Sequence, residues 1–170
     1  MDLQPILANE FVQIVPLKES DFEALFAVAS DELLWEQHPE KERYKKDVFL
    51  MFFQEAIASK SAFKIIDIKT GNAIGSTRYY EYNEIEKSVA IGYTFIDRKH
   101  WATPYNRALK NLMLNYAFQF VESAIFHVGN TNFRSQKAVE KLGANVTETI
   151  LNKEISKTHF IFTLTKSNWK

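Results

Sequence analysis

The chain has 170 residues, 46% of them apolar, with 21 basic and 21 acidic side chains that cancel to a net charge of zero. That length and apolar share are enough for one domain with its own core, and a net charge of zero gives no electrostatic argument for non-specific binding to nucleic acid or an anionic membrane, a local basic patch aside. The absence of cysteine excludes disulfides, thiol nucleophiles and cysteine-based zinc sites. The start, MDLQPILANEF, has no basic region followed by an apolar run, and no stretch approaches the roughly 18 uninterrupted apolar residues of a membrane span. The expectation is a soluble, cytoplasmic protein, one domain over residues 1–170, with no nucleic-acid or membrane partner.

Phe11–Leu17 is rich in β-formers and reads as the first strand. Ser20 reads as a helix N-cap, with Asp21 and Glu23 in the first turn, where the helix dipole favours acids. Phe22, Leu25, Phe26 and Ala29 then recur at helical spacing. Pro39 interrupts any helix between Leu33 and Tyr44, and a second helix is expected over Lys45–Ser59. Three strands follow: SAFKIIDIKT, AIGSTRYYEY and SVAIGYTFI. A hairpin turn at Thr70-Gly71-Asn72 joins the first two, and charged Glu84, Glu86 and Lys87 mark the next connection. A helix is expected from Pro104 to about Glu122, then a buried strand AIFHVGN, a helix NFRSQKAVEKLG stopped by Gly143, and a closing strand pair NVTETILN and THFIFTLTK. The order β-α-α-β-β-β-α-β-α-β-β implies an α/β fold with a mostly antiparallel sheet and one helical crossover.

Two segments carry chemistry. In IGYTFIDRKHWATPYNRALKNLML a strand ends, a turn follows and a helix begins. Unpaired N–H donors and the macrodipole make such a helix start an anion site. In NTNFRSQKAVEKLGA, Asn132 caps a helix that carries Ser135 and ends in Lys141-Leu142-Gly143. Together these segments resemble the cofactor-binding core of the GNAT superfamily of N-acetyltransferases, most closely its ribosomal-protein N-terminal acetyltransferase branch, over roughly Glu10 to Lys166.

The resemblance implies a GNAT fold: an α/β (α+β type), mixed, mostly antiparallel twisted sheet of about six to seven strands, flanked by about four helices, with a splayed central strand pair. It implies transfer of an acetyl group from acetyl-CoA to a primary amine, on a protein N-terminus or small molecule, by direct attack in a ternary complex. Cofactor contacts fall on the strand end Phe95 and Ile96, on the turn and helix start at Trp101, Ala102, Thr103, Tyr105, Asn106 and Arg107, and on Asn132 and Ser135. The family's turn reads Gln/Arg-x-x-Gly-x-Gly/Ala. With Trp101 at its first position, Pro104 stands where the first glycine is usual, and proline has no N–H to offer phosphate. Either Pro104 begins the helix and the amides around it still bind pyrophosphate, or the loop has drifted and the domain is a degenerate, non-catalytic binding or regulatory module.

Many relatives use a tyrosine in the last helix as the acid that protonates the leaving thiolate, and Val139 stands at that position. Ser135 and Tyr105 are the substitutes. The base is sought among Glu81, Glu84 and Glu86, of which Glu86 is carried forward, or is water. The acceptor pocket is expected at Trp35, His38 and Arg43. A different acyl donor such as succinyl-CoA would need a further cation, for which Arg78 and Arg98 are available. Tyr79, Tyr80 and Tyr82 would form a pocket wall or a dimer face, with the protein a monomer or homodimer. The four histidines have no short ligand spacing, so no metal is expected.

Overall fold

The structure is a computed structural model describing residues 1–152 and 157–169. Over these residues the chain runs β1 (Leu7–Ala8), β2 (Val12–Pro16), α1 (Phe22–Ala29), α2 (Lys46–Ala58), β3 (Ala62–Asp67), β4 (Ala73–Asn83), β5 (Ser88–Ile96), α3 (Tyr105–Ala117), β6 (Ser123–Gly129), α4 (Phe133–Glu140), β7 (Asn145–Asn152) and β8 (Lys157–Thr165). The strands form one sheet in the order β1-β2-β3-β4-β5-β6-β8-β7. Each neighbouring pair is antiparallel except β5 with β6. This is the mixed, mostly antiparallel sheet with four helices that the sequence implies. It has one strand more, because β1 is two residues long and carries no readable pattern.

Alternation along the strands divides the apolar side chains between the two faces of the sheet. Val12, Ile14, Phe63, Ile65 and Tyr79 pack with Leu109 and Met113 of α3 and Val139 of α4. Phe95 and Ala62 pack instead with α1 and α2, around Leu25, Phe49, Phe52 and Phe53. Gly75 sits where a Cβ would lie 1.9 Å from the Phe95 carbonyl oxygen, so only glycine lets β4 and β5 approach there.

Two expectations shift and a third, the break at Pro39, gains detail. Ser20 does not cap α1. The buried Asp21 instead accepts the Lys18 N–H at 2.9 Å and pairs with Lys64, which tightens Glu19–Asp21 into a 3-10 turn before α1. The stretch Leu33–Tyr44 is two 3-10 turns, Glu32–Trp35 and Lys41–Tyr44, on either side of Pro39. Finally, α3 ends at Ala117 rather than near Glu122, so that the chain can turn Phe118 and Val121 into the core. The Thr70-Gly71-Asn72 turn is as expected: Gly71 has φ +73°, and the Asp67 carboxylate takes the Lys69 N–H and the Thr70 hydroxyl. No helix among the described residues is long and apolar enough to cross a membrane.

Candidate active site

The parallel pair β5–β6 is joined only at Ser88–Ala90 against Ser123–Ile125. Beyond that point β6 continues on β8 and β5 continues on β4. The edge of β5 from Ile91 to Ile96 therefore faces β6 without a strand partner, and the two strands open into a V. A bulge shapes the opening. Ser76 pairs with Phe95 but Arg78 pairs with Gly92, which leaves one extra residue in β5, and Tyr93 takes φ +51° there.

At the open end of the V, β5 runs into a turn and then α3. Asp97 caps the 3-10 turn Arg98–His100 by accepting the Lys99 N–H. Trp101 donates its indole N–H to the Ile96 carbonyl, and Ala102 adopts φ +57°, a left-handed conformation in which glycine is more comfortable. Pro104 has φ −63° and ψ −14°, and its carbonyl takes the Ala108 N–H, so it stands at the N-cap of α3. The Tyr105 amide makes only a long contact, 3.4 Å, to the Thr103 hydroxyl. The amides of Asn106 and Arg107 donate to no acceptor among the described residues. Across the V, Asn132 caps α4 by accepting the Ser135 N–H at 3.2 Å, with Ser135 in the first turn. Arg134 ties the two sides together. Its guanidinium lies 3.6 Å over the Trp101 ring and reaches the Leu34 carbonyl, while its amide donates to Gln37.

The face that carries α2 holds a second cluster. Trp35, His38 and Arg43, singled out from the sequence, do come together. The Trp35 and His38 rings are 5.5 Å apart, Arg43 Nη1 is 3.2 Å from His38 Nε2, and the Arg43 guanidinium is 5.6 Å from the Trp35 ring. Trp35 itself is buried and donates to the Ala29 carbonyl, so it forms the floor. Arg43 also sits 4.4 Å over Phe52. Arg78 projects from β4 onto the Tyr93 ring at 4.0 Å, and Tyr80 packs against Tyr93 and His127. Burial pushes both guanidinium pKa values down, with Glu40 opposing this at Arg43 and Tyr93 opposing it at Arg78.

Residues 12–145 match the family described as the acetyltransferase (GNAT) domain. The chain belongs to the GNAT acetyltransferase family. Several solved structures share its fold. A GCN5-related N-acetyltransferase from Brucella melitensis superposes with a TM-score of 0.85 at 20% identity, over 98% of this chain and 80% of that one. A spermidine N-acetyltransferase from Vibrio cholerae, solved with CoA and spermine, gives 0.73 at 17% identity, over 94% and 98%. A Vibrio cholerae chain provisionally described as a ribosomal-protein-serine acetyltransferase gives 0.78 at 14% identity, over 97% and 99%. No curated protein matches.

GNAT acetyltransferases use acetyl-CoA, and the V, the exposed turn and the free amides at the start of α3 suit a phosphorylated, extended ligand. The residues expected to act in the chemistry are less close together. Tyr105 turns its hydroxyl to Asp67 at 2.9 Å, at the β3–β4 hairpin, and that hydrogen bond raises its pKa. Glu86 is exposed in the β4–β5 connection, beyond the closed end of the V, its amide held by Asn83. Of the three glutamates considered, Glu81 is the one beside the α2-face cluster, with its carboxylate 3.4 Å from His127 Nε2. The sequence reading missed Phe52, Tyr93 and Arg134 and left Arg78 unplaced. These residues meet across separate elements, and only the mixture of tyrosine and arginine in β4 and β5 hinted at them. Among the described residues no group of His, Asp or Glu could hold a metal.

Proposed function

We propose that this GNAT domain transfers the acetyl group of acetyl-CoA to a primary amine in a ternary complex. The observation that carries the reading is the V between β5 and β6, opening onto the free amides of Asn106 and Arg107 at the start of α3. Pyrophosphate binds at Thr103, Tyr105, Asn106 and Arg107, with Trp101 and Ala102 shaping the turn. The pantetheine arm lies along the unpaired edge of β5 at Phe95 and Ile96, with Asn132 and Ser135 opposite. The thioester then reaches the bulge at Tyr93, where a backbone N–H of β5 polarises its carbonyl.

The acceptor enters from the α2 face, past Trp35, His38 and Arg43. Its nitrogen attacks the thioester carbon, the C–S bond breaks, and the thiolate leaves. The amine's proton passes through water to the Glu81–His127 pair rather than to the distant Glu86. Ser135, on the first turn of α4, protonates the thiolate, because the Tyr105 hydroxyl is already held by Asp67. A protein N-terminus, the acceptor in the ribosomal-protein branch, is one class of primary amine within this reading.

Release of free CoA thiol tests the reading. With saturating acetyl-CoA, peptides with free N-termini, amino acids and polyamines are offered in turn. At least one class is expected to raise thiol release tenfold or more above water alone. If none does while acetyl-CoA binds, the domain is instead a binding or regulatory module.

A further inference from the structure

Arg78 is in an unusual position for an arginine. It stands on β4, near the middle of the sheet, and is only 6% exposed. Its Nε and Nη2 are shut away from water and have no hydrogen-bond partner. A buried guanidinium with empty donors is costly, because nothing replaces the water it has lost. The ring of Tyr93 lies 4.0 Å away and Phe52 5.9 Å, and these flat faces stabilise and orient the charge without filling its hydrogen bonds. Arg43 shares the Phe52 ring at 4.4 Å. Neither arginine has an ion pair among the described residues. Glu55 acts on both through space, and Glu40 on Arg43, without either lying within ion-pair distance.

Two guanidinium groups therefore share one aromatic wall beside the bulge of β5, and no carboxylate among the described residues is paired with either. Tyr93 is 40% exposed and sits at the bulge, so the wall borders solvent where an acceptor would enter. The planar fork of arginine matches a carboxylate, and the half-exposed Tyr93 ring, which covers the Arg78 guanidinium at 4.0 Å, has to turn aside to admit one to the buried Nε and Nη2. A polycation such as a polyamine would meet like charge here.

We propose that Arg78, supported by Arg43, binds a carboxylate at the transfer end of the V. This rests on the acetyltransferase reading and narrows its substrate. The carboxylate belongs either to the acceptor, an amine that also carries an acid group, or to the far end of a dicarboxylic acyl group on CoA. Arg78 positions that group, and Phe52 and Tyr93 hold the guanidinium flat.

The test measures binding, so it does not depend on finding the true acceptor. CoA-loaded protein is titrated calorimetrically with a panel of N-acetylamino acids, with their carboxamides, and with N-acetylspermidine. Ligand-free protein is titrated with succinyl-CoA and with acetyl-CoA. At least one acid is expected to bind tenfold or more tightly than its amide. Alternatively, succinyl-CoA exceeds acetyl-CoA by that margin, which assigns the carboxylate to the acyl group. Arg78→Met is expected to erase whichever ratio is found, and Arg78→Lys to restore part of it, with acetyl-CoA affinity unchanged. Melting of both variants checks that they fold. No preference in either arm, a preference for N-acetylspermidine, or a ratio that survives in Arg78→Met overturns the proposal. Loss of acetyl-CoA binding by the native protein would instead overturn the underlying acetyltransferase reading.

Discussion

Replacing Phe49 by alanine is expected to cost roughly 3–5 kcal/mol of stability. Phe49 is fully buried, and its ring lies 5.8 Å from those of Phe22, Phe26 and Phe52 and 5.9 Å from that of Phe95. It joins α1, α2 and β5, so its loss leaves a void that none of its neighbours can fill alone. For a chain of this length each kcal/mol moves the midpoint by about 2–4 °C, so a fall of roughly 6–20 °C is expected in a thermal melt. Phe49→Leu keeps much of the volume and should cost clearly less. The damage extends to function, because Phe52 and Phe95, which brace the arginine cluster, rest on Phe49. Near-native stability of Phe49→Ala would mean that the α2 layer packs more loosely than described.

Replacing Lys110 by methionine is expected to stabilise the protein near neutral pH. Lys110 lies on α3 and is buried, Nζ 2.8 Å from the Thr94 hydroxyl and 5.9 Å from the Phe126 ring. Burial with no acid beside it lowers its pKa from the ordinary 10.5 to about 7. Between those two values the unfolded chain binds a proton that the folded chain does not, so stability rises with pH through this window. Each unit of depression costs about 1.4 kcal/mol, so the full penalty, present below pH 7, is several kcal/mol. Methionine fills similar space without the charge. The gain from Lys110→Met should therefore be a few kcal/mol at about pH 7 and below, and shrink towards pH 10 as the penalty disappears. Chemical denaturation of both proteins across that range checks it. A gain that does not vary with pH would show that the amine is solvated.

The features most legible in the sequence were local ones. The Asn132 cap, the proline at the start of α3 and the Thr70-Gly71-Asn72 hairpin each declare themselves within a few residues, because capping and turn chemistry are short-range. The order of helices and strands follows from the same periodicities, so all four helices were found. The grouping of Trp35, His38 and Arg43 was also visible, since one short segment carries all three. What escaped was long-range. Arg78, Tyr93 and Phe52 lie on β4, β5 and α2, and only sheet register makes them neighbours. The bulge that turns Tyr93 was hidden because its positive φ falls on a tyrosine, where glycine would have signalled it. Lys110 reads as an ordinary surface lysine, and only the packing of α3 against β5 and β6 buries it. Tyr105 was read by proximity to the turn, whereas its place on the helix directs it to Asp67.

Acetyl-CoA binding, measured by thermal unfolding with and without excess ligand, tests the central claim most directly, with Pro104→Gly studied beside the native protein. A ligand that binds only the folded state, at a hundredfold excess over its dissociation constant, stabilises it by about 2.7 kcal/mol. The account predicts a clear upward shift for the native protein, because Pro104 begins α3 and leaves the amides of Asn106 and Arg107 free. No shift in the native protein, with one recovered in Pro104→Gly, would contradict it and leave a binding module whose phosphate turn the proline has disabled.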